Sequence, residues 1–303
     1  MIGSVLSVQG DKPLTAGKAE YRISAGVPVT ALLLGFALLA PAPAAAASGV
    51  TLGYEGYLGG LHMLTAEVEL MRNETRYHMQ TDAVGRGLLS WFVDFSSTAY
   101  TDGVIGPDGV MHPEKHQRTI AQSGRKPKII DIEYRPDGVP MVARSRAGDD
   151  AKYSEEPTRR GTMDPMSAVA AIVDQMAAGT RCQGKFAVFD GKWRYDVEAR
   201  HGEPAELEGG RYTMFAGLAD RCDLILKPID GFEDEEANTP PRGREGPLDN
   251  SMALTMWFAA PGPGLPRVPV IASADTDYGG LRIYLARAEA LTPAQLEQRA
   301  SLK

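Results

Sequence analysis

The sequence predicts a mainly β fold: a curved antiparallel sheet, or an incomplete, half-open β-barrel, of about 11–13 strands wrapped around one α-helix. Three observations carry this. In Leu64-Thr65-Ala66-Glu67-Val68-Glu69-Leu70 apolar and polar residues alternate strictly, as a strand with one buried face requires. Gly59-Gly60 and Asn73-Glu74 are turn-forming pairs on either side of that strand, so its neighbours fold back as a meander. One stretch of helical period, Met166 to Ala178, interrupts otherwise continuous strand patterning.

Positions 1–47 read as an address. Lys12, Lys18 and Arg22 form a basic n-region, and Val27 to Ala40 is an apolar run ended by Pro41 and Pro43. Ala45-Ala46-Ala47 offers small-residue cleavage positions, the pattern of a secretory signal peptide cut before Ser48 or Gly49. The apolar run is short and bounded by proline, so no stable membrane span is expected after cleavage; the alternative is an uncleaved N-terminal inner-membrane anchor. Removing this segment takes away three bases and two acids, which moves the net charge from −7 to −8. An acidic chain without a Lys/Arg cluster argues against nucleic acid and anionic membrane surfaces as partners.

Positions 48–290 read as a single β domain. Strands are expected at Val50–Leu58, Leu61–Arg72, Arg76–Val84, Phe92–Thr101 and Met111–Gln122. Another centres on Ile130, Ile132 and Tyr134, and Pro136-Asp137-Gly138 turns it into Val139–Ser145. Gly148–Gly161 is charged, lacks an apolar period, and reads as an exposed loop. Asp164 then caps the helix and Pro165 takes its first position, where a missing N–H is harmless. Met166, Val169, Ala170, Val173, Met176 and Ala177 fall on one face, and Gly179 ends the helix.

Strands resume at Lys185–Phe189, with Asp190-Gly191 as a two-residue hairpin signal into Lys192–Arg200. Arg211–Phe215, Arg221–Pro228, Met252–Ala259, Val268–Ala274 and Leu281–Ala288 complete the β content. Positions 230–250 are acidic, proline-bearing and aperiodic, and read as a long mobile loop. In the tail, positions 291–303, Thr292-Pro293-Ala294-Gln295 is a capping-box pattern for a short helix.

Motifs for chemistry are scarce. Cys182 and Cys222 are the only cysteines, and an even count in an exported chain favours a disulfide between them. His112 and His116 have helical ligand spacing, but on a strand that spacing is about 13 Å, so they read as surface or turn histidines. No nucleophile elbow, P-loop, HExxH or dinucleotide fingerprint occurs, and no metal or cofactor is expected. Ser167, in the first turn of the helix, reads as structural, and Asn73-Glu74-Thr75 as turn chemistry. Trp91, Phe92, Trp193, Tyr195 and Trp257 recur beside alternating strands, where core and cavity lining are both open to them. With Met166, Val169, Val173 and Met176 of the helix they form the candidate lining of the concave face.

These residues carry a resemblance. Tyr54, Gly56, Tyr57 and Gly60 open the pattern, followed by Gly85-Arg86-Gly87-Leu88-Leu89 and the helix start Asp164-Pro165-Met166-Ser167. Val188-Phe189-Asp190-Gly191-Lys192-Trp193-Arg194-Tyr195-Asp196, the cysteine pair, Trp257, Val268-Pro269-Val270 and Tyr278-Gly279-Gly280 continue it. The chain thereby resembles the domain of unknown function 3108 family of exported bacterial proteins. That family looks related in fold to the periplasmic lipoprotein carriers LolA and LolB, which wrap an incomplete barrel around a helix and hold acyl chains in between. The resemblance implies the same half-barrel here and not the same cargo; the function expected is a periplasmic, non-enzymatic binding or carrier module for an apolar or lipid-like envelope molecule. The competing expectation is an envelope assembly or scaffold protein with a filled core.

Overall fold

The computed structural model describes residues 48–87, 94–144, 154–231, 252–276 and 279–300. Strands β1 (Ser48–Leu58), β2 (Leu61–Arg72), β3 (Arg76–Gly85), β4 (Phe95–Ile105), β5 (Met111–Gln122), β6 (Lys128–Tyr134) and β7 (Pro140–Arg144) come first. Helices α1 (Glu156–Arg159) and α2 (Pro165–Ala177) follow. The chain then makes β8 (Gln183–Phe189), β9 (Arg194–Leu207), β10 (Gly217–Asp230), β11 (Met252–Ala259), β12 (Val268–Thr276), β13 (Gly279–Ala290) and α3 (Pro293–Ala300). All thirteen strands join one antiparallel sheet, ordered β7-β6-β5-β4-β3-β2-β1-β13-β12-β11-β10-β9-β8. The first and last strands pair in the middle, and the sheet's two edges are where the chain leaves it to build α1 and α2.

Register sorts the side chains into two faces. The Thr81 hydroxyl donates to Met166 Sδ of α2 at 3.5 Å, which marks its row as the inner one. That row runs Leu52, Val68, Thr81, Ala99, Arg118 and Ile130 across β1 to β6. The row nearer the helix start runs Val50, Leu70, Met79, Thr101, His116 and Ile132, and the row beyond runs Tyr54, Ala66, Ala83, Ser97, Ile120 and Lys128.

The sheet does not close into a barrel; it overlaps itself. Val188 packs in the core with α2, while Phe189, one residue on and therefore on the opposite face, is fully buried against Ile130 and Ile132 of β6. The inner face of β6 thus covers the outer face of β8. The free edge of β8 takes one parallel bridge: Met163 N–H donates to Ala187 O (2.8 Å) and Phe189 N–H to Met163 O (2.9 Å). That covers an edge otherwise open to pairing with another chain.

The hairpin between β8 and β9 fits under this overlap only because Gly191 is glycine. Its φ is +97°, and a Cβ there would stand 2.5 Å from Ile130 Cγ2. Gly191→Ala is expected to cost about 1–3 kcal/mol through backbone strain and overpacking. A urea midpoint equal to that of the parent would rule out the overlap as described.

Helix α2 starts where the sequence places it. Asp164 Oδ1 accepts from the N–H groups of Met166 and Ser167, both at 3.0 Å. The expectation of a single apolar stripe is corrected in part: Ser167, Ala168, Ala170, Ile172, Val173 and Met176 are buried, which surrounds the helix, while Ala177 is exposed. The sheet wraps the helix, so more than one side of it finds cover.

Three further expectations change. Arg211–Phe215 is not a strand but a turn segment that tucks Phe215 against the core cluster around Tyr54, Val270 and Leu285. Its Tyr212 ring meets Tyr57 at 4.6 Å and Tyr284 at 6.0 Å on the surface. The expected loop before the helix contains the single turn α1, begun by Pro157. His116 is buried, not a surface histidine, because its strand turns it inward toward Asp164. The acidic loop expected at 230–250 and the leader at 1–47 fall, apart from Asp230 and Gly231, outside the described residues.

Candidate functional site

Two features share the inner face. The first is a polar cluster at the start of α2. Asp164 Oδ2 accepts from the hydroxyls of Ser167 (2.5 Å) and Thr101 (2.9 Å), and His116 Nδ1 lies 3.2 Å from Asp164 Oδ1. The Tyr77 and Ser167 hydroxyls share a hydrogen bond of 2.8 Å. Burial alone would raise the Asp164 carboxyl; the adjacent His116 and the Ser167 hydroxyl and N–H outweigh it and hold it below the ordinary carboxylate range. Burial pushes the Tyr77 and Tyr134 hydroxyls well up, and the Asp164 charge adds to both shifts.

This cluster contains a serine, a histidine and an aspartate in an order that does not activate the serine. In a hydrolytic triad the histidine stands between nucleophile and carboxylate. Here the carboxylate stands between the other two, and Ser167 and Asp164 are fully buried. The arrangement fixes the helix to β4 and β5.

The second feature is the half-buried stretch of the inner face beside the helix, here termed the trough. Met166 and Val169 of α2 face the inner side of β2 to β5 and remain half-buried. Opposite them, Ala66, Val68, Thr81, Ala83, Ser97 and Ile120 are also half-buried, and most are small. Toward its other end the helix is packed solid: Ile172 and Met176 are each 1 % exposed. Arg72 and Asp174 form an ion pair at that end.

The remaining sequence candidates are placed as follows. Val173 and Met176 lie in the closed core with the Cys182–Cys222 disulfide, whose two cysteines are both fully buried. Tyr195 is half-buried on the inner face of β9 and packs against that core. Trp193 ends the β8–β9 turn, with Lys192 Nζ 4.7 Å from its ring. Trp257 packs against the core cluster around Tyr54, Val270 and Leu285, with the Arg221 guanidinium 5.7 Å from its ring, while its neighbours Met256 and Phe258 pack with the helix. Trp91 and Phe92 lie outside the described residues. The residues that sequence reasoning passed over are Thr101, Arg118 and Lys128, and His116 was placed on the surface. Alternation within β5 was the available signal, since His116, Arg118 and Ile120 share one face.

Among the described residues no helix is long and apolar enough to cross a membrane, and no group of three or more metal-ligating side chains converges. Fold and site together define an open antiparallel half-barrel wound around a central helix. The chain belongs to the DUF3108 family, described as "Protein of unknown function (DUF3108)", whose model matches residues 53–286. No curated protein matches it. Among solved structures it is similar to the crystal structure of a β-barrel-like protein of domain of unknown function DUF1849 from Brucella abortus. That match has 12% identity and a TM-score of 0.44, and covers 82% of this chain and 99% of the other.

Proposed function

We propose that this chain is an exported, non-enzymatic carrier of an apolar or lipid-like envelope molecule, held between the Met166–Val169 face of α2 and the inner faces of β2 to β5. One observation carries the reading: apolar inner-face residues stay half-buried there, in a fold that closes around the rest of the helix. Such concave, mostly apolar sites are where small ligands bind. The disulfide and the leader pattern support an extracytoplasmic, periplasmic setting. The burial of Ser167 with Asp164 supports a role without catalysis. The packed end of the helix around Met176 favours the second reading, a scaffold that acts through its surface.

Nile red, a neutral apolar dye, separates the two. Saturable binding to the purified protein is expected, and Ala83→Trp, which fills the trough from a half-buried position, is expected to weaken it at least about tenfold, a loss of about 1.4 kcal/mol. Dye binding by neither protein, with both folded by circular dichroism, would end the carrier reading and leave the scaffold.

A further inference from the structure

We infer that the trough selects an amphiphile with an anionic head, a carboxylate or phosphate on an acyl chain, and that Arg118 of β5 and Lys128 of β6 hold that head. This rests on the carrier reading and narrows its ligand. Arg118 is on the inner row between Ala99 of β4 and Ile130 of β6, and Lys128 faces Ile120 one row further out. Register therefore makes them diagonal neighbours on one face, with Cβ atoms within about 7–8 Å. Arg118 is exposed and Lys128 half-buried.

Neither cation has a hydrogen bond or ion pair among the described residues. His116, two residues from Arg118, is held by Asp164 at 3.2 Å. The acids of β6, Asp131 and Glu133, point to the outer face, where Gln117 and Lys115 take them at 3.4 and 3.8 Å. The inner neighbours of the two cations, Ala83, Ser97, Ala99 and Ile120, offer no negative charge. Across the interior, burial and the charges of Asp190 and Asp164 raise the Tyr195 hydroxyl, and Arg118 pulls it back. Two cations that are unpaired among the described residues, beside an apolar face, complement a chain ending in an anion, and a guanidinium takes a carboxylate or phosphate by two parallel hydrogen bonds.

The test is competition against bound Nile red. Hexadecanoate is expected to displace the dye at least about tenfold more effectively than hexadecanol, the worth of a charge-assisted contact. In Arg118→Met/Lys128→Met that preference should vanish, with dye and hexadecanol binding unchanged. Equal competition by acid and alcohol in the parent protein overturns the inference while the carrier reading stands, and it needs no variant that must fold. Failure of the dye to bind at all removes the carrier reading itself. Inorganic phosphate that binds by calorimetry as tightly as hexadecanoate would make this a site for a free anion and overturn the amphiphile.

Discussion

Asp164→Ala is expected to destabilise the protein by about 3–5 kcal/mol, the cost of breaking a buried pair and leaving its partners unsatisfied. One carboxylate caps α2 at two N–H groups, accepts from Thr101 and Ser167, and faces His116. Alanine removes all of these and leaves His116 buried without its polar neighbour. Asp164→Asn keeps an oxygen for the cap and is expected to cost less. The two variants also differ with pH. A folded-state carboxyl held below its unfolded value contributes stability that is complete above about pH 4 and is lost as pH falls through the lowered folded value. The parent should therefore lose stability toward pH 3 faster than Asp164→Asn. Urea denaturation at pH 7 and pH 3 measures both; parallel losses would mean that Asp164 is not the charged hub of the cluster.

Much of the sheet was legible in the sequence because side-chain alternation is local. The bounds of β2, β5 and β11 follow directly from it. Partner choice is not local. Period two says which face Val50 or Leu285 shows, and nothing about β1 pairing with β13 across the whole chain. The same limit hid the overlap of β6 on β8, since Phe189 looks like any strand residue until Ile130 covers its far side. Trp257 joins the core cluster around Tyr54 and Val270 while Met256 and Phe258 join the one around the helix, a division that the register shift at this point hides from simple alternation. His116 was read against a metal motif, and its real partner, Asp164, is the cap of α2, further along the chain. Arg118 and Lys128 carried no motif; only register makes them neighbours.

The disulfide sets the second large effect. Cys182 follows α2 and precedes the edge strand β8, and Cys222 lies in β10 between His201 of β9 and Met256 of β11. The bond therefore ties the exit of the helix to the third strand from that edge, across a sequence separation of 40. Loop-closure entropy puts such a crosslink at about 4 kcal/mol. Cys182→Ala/Cys222→Ala should then melt about 10 °C lower in a chain of this size. The loss should also be uneven. Strand β8 has only β9 and the Met163 bridge as strand partners, whereas β1 to β5 are paired on both sides. Amide exchange in the double variant is expected to rise in β8 and the C-terminal half of α2 and to stay slow in β1 to β5. A uniform rise would mean that the crosslink acts only on the unfolded chain. An unchanged melting point would mean that Met176, Val188 and Phe258 hold this segment without it.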